Sequence, residues 1–106
     1  MNHRIRKSAT ILLAAALASP VFAQSGVDTY KTKCAMCHGP DGTAATPMGK
    51  MMKIPSFKSP EVMKASDVSL VAVTKGGKGK MPAYNGKLTD GQIKEVVAYI
   101  RALQKK

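Results

Sequence analysis

The sequence predicts a small all-α domain of about four short helices connected by loops. Near the C-terminus, apolar residues recur at the three- and four-residue spacing of a helix face. No stretch of the 106-residue chain alternates apolar and polar residues for long enough to form a strand. Proline and glycine divide the rest into short segments, without internal repeats or a linker between domains. We therefore expect one helical domain.

Residues 1–23 have the composition of an export signal. A basic start precedes an almost unbroken apolar run over residues 9–18, and Ala23 stands where a signal peptidase would cut. An apolar run of about ten residues is too short to cross a membrane, which takes about 20. We predict cleavage after Ala23, which leaves residues 24–106 as one exported, periplasmic domain without a transmembrane anchor.

The first helix is predicted over residues 27–34, with Ser25 or Asp28 near its start. The Pro-Asp-Gly sequence at residues 40–42 favours a turn. Residues 43–58 contain two prolines and a glycine, so we expect a loop there that includes one helical turn around Met51 and Met52.

Two short helices follow, and each begins at a serine that can cap it. The Ser-Pro-Glu sequence at residues 59–61 supplies a cap, a proline for the first helical position and an acid for the first turn. That helix should end near Ala65. Ser66 caps the next helix, which the glycines at residues 76–77 end.

The last helix is predicted from a capping box formed by Thr89 and Gln92, with Leu88 and Ile93 at the hydrophobic-staple positions. A stripe of apolar residues at helical spacing should then face the core: Ile93, Val96, Val97, Ile100 and Leu103. The stripe indicates packing and says nothing about function by itself.

The most informative motif is C-x-x-C-H at residues 34–38, the attachment sequence for covalently bound haem c. Cys34 and Cys37 lie about one helical turn apart, so both thiols can reach the two vinyl groups of one porphyrin. The imidazole of His38 follows directly, and imidazole is a usual proximal ligand of haem iron. The motif therefore predicts one haem c, bound through both cysteines, with iron held by His38.

A dithiol redox site, a disulfide and half of a zinc site are the other uses of such a cysteine pair. The chain has only these two cysteines, and its other histidine, His3, falls in the predicted export signal. Residues 24–106 contain no Trp and form a small domain, which needs more core than its own side chains supply. A large apolar cofactor would provide that core, so haem is favoured over the alternatives.

The methionines are the candidates for a second iron ligand. Met81 follows three glycines and precedes Pro82, a flexible approach ending in a fixed backbone. Four other methionines compete, because methionine is more often core filler than a ligand: Met48, Met51, Met52 and Met63. The local sequence alone leaves the choice open.

Residues 24–106 carry 14 Lys and Arg against 6 Asp and Glu, a formal charge of +8. Few aromatics and no recognisable binding motif argue against nucleic acid as a partner. An acidic protein or an anionic lipid fits better, although a merely well-hydrated surface would have the same composition. Five lysines flank residues 34–38 or Met81 and are candidates for steering an acidic partner: Lys31, Lys33, Lys75, Lys78 and Lys80.

The chain from residue 24 onward resembles the small bacterial class I c-type cytochromes over nearly its whole length. The resemblance rests on Cys-Ala-Met-Cys-His-Gly at residues 34–39, Lys-Met-Pro at residues 80–82 and Val-Ala-Tyr-Ile-Arg at residues 97–101. Gly26 and Tyr30 also stand where that family places a glycine and an aromatic residue. The implied fold is that of cytochrome c: short helices wrapped around one covalent haem, with the N- and C-terminal helices packed together.

The resemblance also implies roles for individual residues. Gly26 and Tyr30 would pack against the last helix, and Met81 would be the sixth iron ligand opposite His38. The carbonyl of Pro47 would accept a hydrogen bond from the free ring nitrogen of His38 and so orient the imidazole. Tyrosine stands at position 30 where phenylalanine is commoner, which leaves a hydroxyl to be satisfied. The chain has no Trp to bind a haem propionate.

With both axial positions filled, the resemblance implies a monomeric carrier of single electrons between respiratory redox partners, and no enzymatic activity. A haem subunit of a larger dehydrogenase or reductase has the same sequence features and stays open. A haem enzyme or gas sensor would need a displaceable sixth ligand, and a thiol oxidoreductase would need free cysteines. Four-helix-bundle cytochromes are disfavoured, because they carry the attachment sequence near the C-terminus and lack a Met-Pro loop.

Overall fold

The structure, a computed structural model, describes residues 21–106 of the chain. Within that range no strand forms, only two isolated bridges, and no helix is long and apolar enough to span a membrane. The all-α prediction is confirmed. The export signal and its cleavage stay predictions, because residues 1–20 lie outside the described range. The described residues form six helices: α1 (Val21–Lys33), α2 (Ala35–His38), α3 (Pro47–Met51), α4 (Pro60–Lys64), α5 (Asp67–Gly76) and α6 (Asp90–Gln104).

The first helix differs from its prediction at both ends. α1 already includes Val21, the first residue described, so a start near residue 27 is wrong, and Ser25 and Asp28 lie inside the helix. No proline interrupts the chain after Val21, and Gly26, within these additional residues, lies against Glu95 of α6. Cys34 is not the last residue of α1; it is the N-cap of the separate helix α2.

The predicted starts of α4, α5 and α6 are confirmed. The hydroxyls of Ser59 and Ser66 accept hydrogen bonds from backbone N–H groups in the first turns of α4 and α5. At the start of α6, the Gln92 N–H donates to the Thr89 hydroxyl at 3.1 Å, and the Thr89 N–H donates to the Gln92 side chain at 2.9 Å. Gly77 ends α5 with a φ of +75°, a conformation that favours glycine.

The loop predicted over residues 43–58 contains a complete short helix, α3. Thr46 is its N-cap and accepts a hydrogen bond from the Gly49 N–H at 2.9 Å, and Pro47 occupies the first helical position. The Thr46 hydroxyl also donates to the carbonyl of Cys37 at 2.9 Å. This threonine therefore starts α3 and at the same time attaches it to α2.

The N- and C-terminal helices pack together, as the resemblance implied. Gly26 lies so close to α6 that a Cβ added there would stand 2.5 Å from the carbonyl oxygen of Glu95. One turn later Tyr30 is 0% exposed, and its ring meets the edge of Tyr99 with 5.1 Å between ring centroids. The predicted stripe of α6 is buried: Ile93, Val96, Val97, Ile100 and Leu103.

The last turn of α6 reaches back to the segment between α3 and α4. The side-chain amide of Gln104 donates to the carbonyl of Phe57 at 2.8 Å, and Phe57 is buried in the same cluster as Tyr30. Arg101 forms an ion pair with Asp67 at the start of α5, with 2.8 Å between Nε and Oδ1. The end of α6 therefore contacts both the segment that contains Phe57 and the start of α5.

Candidate haem-binding site

A cavity of about 620 Å³ lies between the helices, within the range of roughly 300–1,000 Å³ typical of small-molecule sites. The C-x-x-C-H residues line it together with Met81, although some forty residues separate them in sequence. Most of the other lining side chains are apolar, including Met52, Ile54, Pro55, Phe57, Val62, Leu70, Val73, Pro82, Val96 and Ile100.

The attachment sequence forms a tight turn at the cavity wall. Directly after α1, the N–H groups of Cys37 and His38 donate to the carbonyl of Cys34 at 3.2 and 3.0 Å. Both thiols line the cavity and form no disulfide. Burial raises the pKa of the Cys34 thiol to about 11, with the neighbouring Cys37 adding to the effect.

Three successive carbonyls at the end of this turn accept hydrogen bonds from outside it. The Cys37 carbonyl accepts from the Thr46 hydroxyl, the His38 carbonyl from the Ala44 N–H at 2.8 Å, and the Gly39 carbonyl from the Tyr30 hydroxyl at 2.6 Å. The hydroxyl that distinguishes Tyr30 from phenylalanine therefore has a buried partner. These bonds fix the backbone that carries His38.

The imidazole of His38 stacks on Phe57, with 4.7 Å between ring centroids and 22° between ring planes. Burial lowers the pKa of His38, which favours the neutral imidazole that ligates metals. Its Nδ1 atom is buried without a hydrogen-bond partner among the described residues. A histidine held in this way can offer one ring nitrogen to iron and still needs an acceptor for the other.

Pro47 and Pro55 differ in their relation to this histidine. Pro47 opens α3 and does not line the cavity, and its carbonyl forms no hydrogen bond to His38 Nδ1 in the structure, so its proposed role stays a prediction. Pro55, which the sequence analysis missed, lines the cavity on the same segment as Phe57. Its position two residues before a buried aromatic was the available signal.

Met81 lies in a turn that two backbone hydrogen bonds close. The Lys78 N–H donates to the Met81 carbonyl at 3.2 Å, and the Met81 N–H donates to the Lys78 carbonyl at 3.0 Å. A Cβ at Gly77 would stand 2.7 Å from the Met81 carbonyl oxygen, so only glycine fits beside this turn. The half-buried Met81 side chain thereby lines the cavity.

Among the competing methionines, only Met52 also lines the cavity. It belongs to the segment that contains Phe57, the residue stacked on His38, whereas Met81 belongs to the segment after α5. Met51 and Met63 are exposed and, like Met48, do not line the cavity. Met81 therefore lies on a different segment of the cavity wall from the residues that surround His38. This favours Met81 over Met52 as the second iron ligand.

These residues fit a covalently attached haem. They comprise two thiols at the attachment spacing, an imidazole with a buried unpaired nitrogen, a thioether and an apolar cavity. Within residues 21–106, no group of three or more His, Cys, Asp or Glu side chains could hold a bare metal ion. The two thiols, the imidazole and the thioether match the groups with which proteins attach and ligate haem c.

Four lysines line the cavity, and two of the five predicted ones do not. Lys33, Lys78 and Lys80 line it, as does Lys53, which the sequence analysis did not single out. Of the other two predicted lysines, Lys75 is paired with Asp90 at 2.9 Å, and Lys31 does not line the cavity.

Comparisons with known proteins agree with the geometry. Residues 22–100 match the family model described as cytochrome c oxidase, cbb3-type, subunit III. Cytochrome c-555 of Chlorobaculum thiosulfatiphilum is 36% identical over 83 residues, which cover 74% of this chain and 92% of that protein. The cbb3-type cytochrome c oxidase subunit CcoP of Azospirillum brasilense is 28% identical over 83 residues, which cover 76% of this chain and 28% of that subunit.

Among solved structures, the KustC0563 c-type cytochrome superposes with a TM-score of 0.68 at 28% identity, covering 74% of this chain and 96% of that one. The resemblance of this chain to the class I c-type cytochromes is therefore confirmed by sequence and by structure. From these matches, and from the cavity that joins the C-x-x-C-H turn to Met81, the chain belongs to the cytochrome c family as a small monohaem class I member.

Proposed function

We propose that this protein is a periplasmic carrier of single electrons between respiratory redox partners. Membership in the cytochrome c family implies one haem c with its iron. We assign its covalent attachment to Cys34 and Cys37, and its axial ligands to His38 and Met81. The single observation that carries the assignment is the cavity shared by the C-x-x-C-H turn and Met81.

When bound, the haem iron supplies a reversible one-electron change. The chain's own residues position the two side chains that we assign to the iron. The three external hydrogen bonds on the Cys37–Gly39 carbonyls and the Phe57 ring keep the imidazole still, and the turn at Lys78 and Met81 does the same for the thioether. The apolar lining excludes water. With both axial positions taken, no position is left for a substrate, so we propose no enzymatic activity.

For the Nδ1 atom of His38 we propose the Pro47 carbonyl as the acceptor, as the resemblance implies. It would orient the imidazole and increase its basicity toward iron.

A redox titration of the mature protein, followed by its absorption spectrum, tests the proposal. We expect one transition that fits transfer of a single electron, with the same spectrum recovered on reoxidation. A two-electron transition, or a protein without visible absorption, would contradict it.

Salt should slow electron transfer to an acidic redox partner. Raising the ionic strength from about 0.01 to 0.15 M shortens the Debye length from about 30 to 8 Å, so steering by Lys33, Lys53, Lys78 and Lys80 should weaken and the bimolecular rate should fall about tenfold or more. Stopped-flow mixing measures this rate. Lys80→Gln should reduce the salt dependence, whereas Lys94→Gln, on α6 outside the cavity lining, should not. A rate independent of salt would remove the steering role.

A second candidate function is that of a haem subunit in a larger redox complex. The matching family model is described as an oxidase subunit, and the chain spans 28% of the length of the related CcoP subunit. Copurification with partner chains from native membranes would favour this candidate over a diffusible carrier.

A further inference from the structure

The segment that carries Met81 is weakly packed apart from two side chains. Between Gly77 and Asn85, most residues are exposed, and only Met81 and Tyr84 place half-buried side chains against the rest of the molecule. Gly79, with a φ of +57°, adds backbone freedom within the segment. Met81 and Tyr84 are therefore the two side chains of this segment that are half-buried against the rest of the described chain.

Two backbone hydrogen bonds anchor the end of the segment to α5. The Tyr84 N–H donates to the Thr74 carbonyl at 3.0 Å, and the Asn85 N–H donates to the Lys75 carbonyl at 3.1 Å. Both bonds join the segment to the helix that directly precedes it. Neither bond reaches the attachment turn at residues 34–38.

The Tyr84 side chain makes the connection to the attachment turn. Its hydroxyl donates to the carbonyl of Lys33 at 3.1 Å, across 51 positions of sequence. Lys33 is the last residue of α1 and directly precedes Cys34, so its carbonyl is one of the helix-end acceptors that need an outside donor. Burial raises the pKa of the Tyr84 phenol, so the hydroxyl stays protonated and able to donate near neutral pH.

We propose that Tyr84 is a positioning residue whose hydroxyl latches the Met81 segment to the backbone directly before Cys34, and so holds the Met81 thioether at the cavity. The effect on iron rests on the proposed function, because it requires Met81 to be a ligand. The latch itself does not, because the hydrogen bond joins two segments whichever methionine binds.

Tyr84→Phe in the haem-loaded protein tests the latch, since it removes one hydroxyl and keeps the ring. Loss of one hydrogen bond should let the segment open about 2- to 10-fold more often. Amide hydrogen exchange at Met81 and Tyr84 should accelerate by that factor, relative to the amides of α6. If Met81 is the ligand, the reduced variant should also bind carbon monoxide faster by a similar factor, because the open segment frees the iron more often.

Two tyrosines provide matched controls. Tyr99→Phe removes the same atom from a residue of α6 that does not line the cavity, and it should leave exchange at Met81 unchanged. Tyr30→Phe removes the hydrogen bond to Gly39 and should not accelerate the Met81 segment selectively. Unchanged exchange in Tyr84→Phe overturns the latch. Faster exchange without faster carbon monoxide binding supports the latch and contradicts Met81 as the ligand.

Discussion

Replacing Met81 with alanine should abolish the thioether-to-iron absorption band, lower the reduction potential and allow the reduced protein to bind carbon monoxide. Alanine cannot reach iron from the turn at Lys78, so the sixth coordination position becomes available. A thioether opposite an imidazole favours reduced iron, and axial ligands set haem potentials over roughly 0.8 V. We expect a decrease that is a sizeable part of that range, measured by optical redox titration.

Two other methionines serve as controls for this variant. Met51→Ala changes a side chain that is 74% exposed on α3, and it should leave spectrum and potential unchanged. Met52→Ala removes the other thioether at the cavity and should retain the band. If Met52→Ala loses the band and Met81→Ala keeps it, the ligand assignment moves to Met52.

Replacing both Cys34 and Cys37 with alanine should eliminate covalently bound haem. Mass spectrometry of the denatured wild-type protein should show the processed chain plus one haem, and the double variant should show the bare chain. Without this apolar group, the side chains around the 620 Å³ cavity lose their main packing partner, and a domain of this size has little other core. We therefore expect the double variant to lose cooperative thermal unfolding.

The residue between the cysteines provides the control. Met36 lies within the same motif and is 75% exposed, so Met36→Ala should keep the added mass, the colour and the melting temperature within a few degrees. A wild-type protein whose mass equals that of the bare processed chain would contradict covalent attachment.

Local sequence determined much of this fold in advance. Ser59, Ser66 and Thr89 cap helices through bonds to residues three positions away, and such bonds depend on little else. The apolar stripe on α6 is similarly local. For these elements, the sequence-based predictions and the structure agree.

What escaped prediction depends on contacts between distant segments. The start of α1 was misplaced because Ser25 and Asp28, taken as possible caps, lie inside a helix that already includes Val21. The separate helix α2 ends in carbonyls held by Thr46 and Tyr30, which no short window contains. The bond from Tyr84 to Lys33 spans 51 positions, so only the folded chain shows it.

The side-chain amide of Gln104 donates to the Phe57 carbonyl and so connects the last turn of α6 to the ring that stacks on His38. Phe57 lies face to face with the imidazole that we assign to iron, so disturbance of the final helical turn would pass through a single aromatic ring to the redox centre. An affinity tag fused after this turn could therefore alter the measured electrochemistry, and shortening the chain before Gln104 would do so more strongly.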